Sequence, residues 1–81
     1  MAHLWLRNLA AIRKERGLTQ EQVARACVPP LTVGSISVYE RGKNPLTSTA
    51  ERIADVLGVD VLELYGVMLV DEDDEPATAL V

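Results

Sequence analysis

Residues 18–42 read LTQEQVARACVPPLTVGSISVYERG, and this stretch predicts two short helices joined by a turn. Thr19 stands three residues before Gln22, the spacing at which a hydroxyl and a carboxamide can satisfy two free backbone N–H groups at a helix start. We therefore predict a helix from Gln20 to about Ala26. The prolines of the pair 29–30 lack a backbone donor and restrict the preceding residue, so a turn must follow.

The second helix of this stretch is predicted from Val33 to about Glu40. Thr32 is a suitable N-cap residue, and Gly42 is a suitable stop. Ile36 and Tyr39 are three residues apart and are expected to face inward, which leaves an outer face of small, mostly uncharged side chains. Two short helices arranged in this way can place the second one in the major groove of DNA.

Before this stretch, apolar residues at helical spacing predict a first helix from Leu4 to Arg16. Trp5, Leu9 and Ile12 mark its inward face. Gly17 follows as a natural C-terminal stop.

After this stretch, two further helices are predicted. Ser48 and Asp60 each stand three residues before a glutamate, which is the capping-box spacing. The fourth helix is expected to end at Gly58, and a short fifth helix runs from Val61 to Tyr65. The pattern as a whole predicts an all-α protein whose interior is aliphatic, since the sequence contains no Phe.

Length and charge divide the chain into two parts. Its 81 residues suffice for one small domain, whose marginal core favours a dimer. The formal net charge of −4 is uneven: the chain through Tyr65 is nearly neutral, whereas residues 71–75 are five consecutive acids. We expect a domain at residues 1–66, followed at 67–81 by an apolar extension and a mobile acidic tail. The apolar residues 67–70 could extend the helix, form a strand or pack on a second subunit.

Several classes of protein fit this sequence poorly. No apolar run has the length of a membrane span, so we expect a soluble, cytoplasmic protein. Cys27 and His3 are the lone residues of their types, and neither has neighbours for a metal site, so no metal and no cofactor are expected. The chain has no glycine-rich phosphate loop and no nucleophile beside a base, so it is not expected to be an enzyme.

A specific combination of residues resembles a known family. Its parts are Arg13, the runs 18–20, 23–24 and 36–42, Pro45, and the run 57–59. Together they resemble the helix-turn-helix family of phage repressors and Cro proteins, the XRE family, over residues 6–64. The resemblance implies a compact five-helix bundle in which the helix from Val33 to Glu40 recognises double-stranded DNA. It also implies that the protein is associated with the nucleoid.

The resemblance also implies roles for individual residues. Base or groove contacts are expected from Thr32, Val33, Gly34, Ser35, Ser37 and Val38. Phosphate contacts are expected from Gln20, Arg41, Lys43 and Asn44, for which an ordinary solvated surface is the alternative. Arg13 and Glu40 are expected to form an internal ion pair rather than to contact DNA. Because the groove positions lack a long polar side chain, specificity is expected to depend partly on DNA shape.

The turn departs from the family pattern, since the stretch from Ala24 to Ile36 is two residues longer than usual.

The sequence as a whole supports two functional hypotheses. The first is a transcriptional regulator, acting as a repressor, that binds a pseudo-palindromic operator as a homodimer. The second is a protein-interaction module, antitoxin-like or an adaptor, that has weak DNA affinity and binds a protein partner through its C-terminal segment.

Overall fold

A computed structural model describes residues 3–66. The helices are α1 (Leu9–Glu15), α2 (Gln20–Ala26), α3 (Val33–Glu40), α4 (Thr47–Leu57) and α5 (Val61–Tyr65). Over the described range the chain has no β-strand, and the predicted all-α, five-helix bundle is confirmed. The predicted extension and acidic tail, residues 67–81, lie outside the described residues. None of the five helices is long and apolar enough to cross a membrane.

The two central helices begin where their caps predict. Thr19 Oγ1 accepts from the backbone N of Gln22 at 3.0 Å, and the Gln22 side chain accepts from the backbone N of Thr19 at 2.8 Å. Thr32 Oγ1 likewise accepts from the backbone N of Ser35 at 3.1 Å. These bonds satisfy donors that have no partner within the helix, and they fix the first residues of α2 and α3.

The predicted start of the first helix at Leu4 is wrong, because α1 begins at Leu9. The segment before it folds as a turn, in which the backbone N of Arg7 donates to Trp5 O at 2.8 Å. The backbone N of Asn8 then donates to Leu64 O at 3.0 Å. The backbone before α1 is therefore bound partly by α5, and this distant contact replaces the helical turns that the apolar spacing suggested.

The capping box predicted at Ser48 is also wrong. Helix α4 begins at Thr47, with Leu46 as its N-cap and no side-chain bond to the cap. Ser48 already lies inside the first turn and cannot occupy the cap position. At the next helix Asp60 does act as a cap, accepting from the backbone N of Leu62 at 2.9 Å.

Aliphatic side chains from all five helices form one core. Helix α2 packs against α3 and α4, while α5 closes the bundle against α1 and α4. The tight turn between α4 and α5 uses Gly58, whose positive φ of 71° suits a residue without Cβ. The buried set is Leu6, Leu9, Val23, Ala24, Cys27, Ile36, Ala50, Ile53, Ala54, Leu57 and Leu64. Burial of this set against one side of α3 leaves the other side of that helix uncovered.

Candidate nucleic-acid interface

The orientation of α3 is set by its buried face. Ile36 is fully buried, and Tyr39 packs half-buried against the core. The backbone N of Leu31 donates to Ala24 O at 2.9 Å, which ties the turn before α3 to the end of α2. These contacts hold the opposite face of α3 toward solvent.

The six predicted groove residues lie at the start of α3 and along its outer side. Thr32, Val33 and Gly34 are exposed, and Val33 retains 48% of its accessible surface. The remaining three, Ser35, Ser37 and Val38, are half-buried. None of the six carries a charge, so this face presents methyl groups and hydroxyls.

The hydroxyl groups on this face are already partly engaged. Thr32 Oγ1 donates to Ser35 Oγ at 3.0 Å, and Arg41 Nη1 donates to Ser37 Oγ at 2.8 Å. Both serine oxygens therefore act as acceptors inside the protein. Because a hydroxyl carries one proton of its own, each serine can still donate one hydrogen bond outward.

The loop after α3 carries the predicted phosphate contacts Arg41, Lys43 and Asn44, and all three side chains are exposed. The backbone N of Lys43 donates to Val38 O at 3.1 Å, so the loop is folded back on the helix. Within residues 3–66 neither Arg41 nor Lys43 has a carboxylate at ion-pair distance. The two cations are thus placed beside the outer face of α3 without an internal counter-charge.

Two residues that the sequence analysis did not assign to the site hold this loop. Tyr65 Oη donates to Asn44 Oδ1 at 2.8 Å, and His3 Nε2 lies 2.6 Å from Gly42 O. The partners are 21 and 39 residues apart. No local spacing in the sequence could have indicated these contacts.

Below the loop, Arg13 and Glu40 form an ion pair inside the fold, as the resemblance implies. Arg13 Nε lies 2.6 Å from Glu40 Oε2, and both side chains are about nine-tenths buried, with 11% and 8% of their surfaces exposed. Burial favours the neutral form of Glu40, but hydrogen bonds from Arg13 and Gln20, with the positive charges of Arg13 and Lys14, outweigh it and lower the pKa of Glu40. Glu40 is therefore an ionised carboxylate whose charge is balanced inside the fold by Arg13.

The structure places Gln20 differently from a simple phosphate contact. Gln20 Nε2 donates to Glu40 Oε1 at 2.8 Å. The carboxamide has two N–H groups, so one is committed inside the protein and one remains for an outside acceptor. Gln20 therefore belongs to the Arg13–Glu40 cluster as well as to the predicted interface.

A comparison with family models agrees with this geometry. The model described as helix-turn-helix matches residues 9–64, which begins at the first residue of α1 and extends into α5. The chain belongs to this helix-turn-helix family. A search of curated proteins gave no significant match, and a search of solved structures gave none either.

Membership of the XRE-type helix-turn-helix family, with its Cro and repressor proteins, makes the chain a DNA-binding regulator. This helix-turn-helix protein accommodates its longer turn at the surface: Val28 is 82% exposed, and Pro29 and Pro30 are exposed beside it. Leu31 returns to pack against the core. The exposed residues of the longer turn therefore project outward, while Leu31 and Ile36 keep α3 on the core.

The helix-turn-helix fold offers no metal site in its described part. Residues 3–66 contain no group of three or more His, Cys, Asp or Glu that could hold a metal ion. Cys27 lies in the core, where burial raises the pKa of its thiol and outweighs the charge of Arg52, which acts in the opposite direction. The thiol is therefore protonated and unreactive at neutral pH.

Proposed function

We propose that the protein is a sequence-specific transcriptional regulator that places α3 in the major groove of a DNA operator. The observation that carries the proposal is the uncovered outer face of α3, flanked by Arg41 and Lys43 without internal counter-charges. A helix presented in this way is the element that reads base edges in helix-turn-helix proteins. The family match supports the same assignment.

In this proposal the backbone contacts set the register of the protein on DNA. Arg41 and Lys43 supply charge to phosphates, and Asn44 supplies a side-chain N–H because its carbonyl oxygen is already bound by Tyr65. Gln20 adds its second N–H from the start of α2. These contacts carry no sequence information, so they raise affinity for all duplexes alike.

Sequence is read by the small residues of α3. Val33 and Val38 can contact thymine methyl groups, while Ser35 and Ser37 can donate hydrogen bonds to base acceptors. The face carries no bidentate Arg or Gln, and a good bidentate contact contributes about 1–3 kcal/mol of discrimination. We therefore propose that DNA shape and flexibility supply part of the specificity.

We propose further that the protein binds as a homodimer to a pseudo-palindromic operator and represses transcription by blocking polymerase. Two recognition helices must be about 34 Å apart to meet successive major-groove faces. Leu62 on α5 is an exposed large apolar side chain that a second copy could cover. A dimer would also add buried surface to a small core.

Selection of bound duplexes from a random pool, using the intact protein, tests the proposal. We expect an enriched inverted repeat, binding of two chains per repeat, and an affinity that falls with salt by a log–log slope of about −0.9 per neutralised phosphate. Absence of any enriched sequence together with salt-insensitive binding would contradict it.

A protein-interaction module is the second candidate function. The uncharged groove face and the absence of a long polar reader in residues 32–38 favour it. In that case the selection experiment would enrich nothing, and the protein would instead bind a protein partner through its C-terminal segment.

A further inference from the structure

The described fold ends beside the proposed phosphate-binding loop. Tyr65, the last residue of α5, is bonded to Asn44 at 2.8 Å. Gly66 lies against the start of the chain, since a Cβ placed on it would be 2.7 Å from Arg7 Cδ. The chain therefore leaves the fold beside Arg7, one residue after a tyrosine whose side chain reaches the loop 41–44.

The sequence that continues from this point is strongly anionic. Residues 71–75 read DEDDE and begin five residues after Gly66. Five extended residues span up to about 17 Å. This reach is longer than the Tyr65 side chain that already joins the end of α5 to Asn44. Arg41 and Lys43 are exposed there and, within residues 3–66, are not paired with a carboxylate.

We propose that the acidic segment 71–75 binds Arg41 and Lys43 in the DNA-free protein and competes with DNA phosphates for them. The occupant of this surface is thus a segment of the same chain. Its opposite charge and the place where the chain leaves the fold both favour this segment. The inference rests on the proposed function, because the competing ligand is a DNA backbone.

The competition should weaken binding to every duplex at low salt. Exposed carboxylate–cation pairs are weak and are screened by salt, but a short tether keeps the acidic segment at an effective concentration in the millimolar range. Operator and non-specific duplexes both need these phosphate contacts, so each must displace the segment and each loses affinity by a similar factor. Non-specific binding, which is weak already, then falls below a useful level first.

Two intact-length variants of equal net charge test the proposal. The tail variant carries Asp71→Asn, Asp73→Asn and Glu75→Gln. The control carries Glu51→Gln, Asp55→Asn and Glu63→Gln, three exposed acids of the folded part that form no ion pair in residues 3–66. Each triple substitution raises the formal net charge by the same amount, so any difference between the variants reports position and not total charge.

Affinity for a duplex of unrelated sequence is the first measurement. At about 50 mM salt we expect the tail variant to bind roughly 3- to 10-fold more tightly than the control, and the difference to shrink as salt rises to about 200 mM. Equal affinities of the two variants at low salt would overturn the proposal.

Backbone amide chemical shifts of residues 41–44, recorded without DNA, are the second measurement. We expect them to move in the tail variant at low salt and to stay unchanged in the control. If no variant binds DNA but these shifts still move, the proposed function fails and the contact stands. If DNA binding is intact while neither the shifts nor the affinities differ, the contact fails and the function stands.

Discussion

Arg13 donates two hydrogen bonds to Glu40, from Nε to Oε2 at 2.6 Å and from Nη2 to Oε1 at 3.2 Å. Arg13 lies in α1 and Glu40 is the last residue of α3. Gln20, the first residue of α2, donates to the same carboxylate. Three helices therefore meet at one side chain, and this contact helps to fix the angle at which α3 faces solvent.

Replacing Arg13 with Ala should destabilise the fold by about 2–4 kcal/mol, because it leaves the Glu40 carboxylate buried without its main partner. It also removes the bond from Arg13 Nη1 to Leu18 O. Chemical denaturation of the variant and the parent protein would measure the difference.

Arg25→Ala is the matched control, since Arg25 pairs with Glu21 on the surface of α2 with 77% and 59% of the two side chains exposed. An exposed pair of this kind contributes at most about 0.5 kcal/mol. Equal losses from the two substitutions would contradict the internal role of Arg13.

Acid should weaken the fold through Glu40. Its pKa is lower in the folded chain than in the unfolded chain, so ionised Glu40 stabilises the fold at pH values above the ordinary carboxyl range. This contribution is lost as the pH falls from about 4.3 through the lower folded value. Denaturation between pH 7 and pH 3 should show a smaller acid-induced loss in Glu40→Gln than in the parent. Parallel pH profiles for the two proteins would refute this assignment.

The cap of α3 should matter for DNA binding as well as for stability. Thr32→Ala removes the acceptor of the Ser35 backbone N and should cost about 1 kcal/mol. It also releases Ser35 Oγ from its bond to Thr32 and loosens the first turn of α3, so affinity for a selected operator should fall. Thr19→Ala removes a comparable cap from α2 and serves as the control for the loss of stability alone. If Thr32→Ala binds the operator as tightly as the parent protein, the first turn of α3 does not contact DNA.

Lys43→Ala and Val38→Ala should separate phosphate contacts from base contacts. Lys43→Ala should weaken binding to every duplex by a similar factor and reduce the salt slope by about one phosphate, whereas Val38→Ala should change the ranking of operator variants with little change in salt slope. Competition binding with a panel of single-base variants measures both effects. A uniform loss from Val38→Ala would place that residue outside the groove.

The parts of this fold that could be predicted from sequence are those set by neighbours in the chain. The caps act within one helical turn, at Thr19 with Gln22 and at Thr32 with the start of α3, so the sequence itself shows their spacing. The start of α1 is set by a bond between Asn8 and Leu64, which belong to opposite ends of the fold. No periodic pattern contains that information.

The same reasoning applies to the candidate site. The family resemblance indicated that Arg13 and Glu40 lie together. It did not indicate that Gln20 joins them and donates one of its two amide hydrogens to Glu40. Tyr65 and Asn44 likewise come together through the packing of α5, which sequence spacing does not describe. Long-range hydrogen bonds between polar side chains are therefore the part of the site that sequence could not predict.

The bonds from Asn8 to the end of α5 have a further consequence for the order of the helices. The backbone N of Asn8 donates to Leu64 O, and Asn8 Nδ2 donates to Glu63 O at 3.0 Å. The two ends of the folded part therefore lie side by side, while the exposed prolines 29 and 30 sit on a projecting loop. A circular permutant that links Gly66 to Trp5 and opens between these prolines should keep the five-helix packing, with α3 now the first helix in the polypeptide, although it loses the contact of His3 with Gly42.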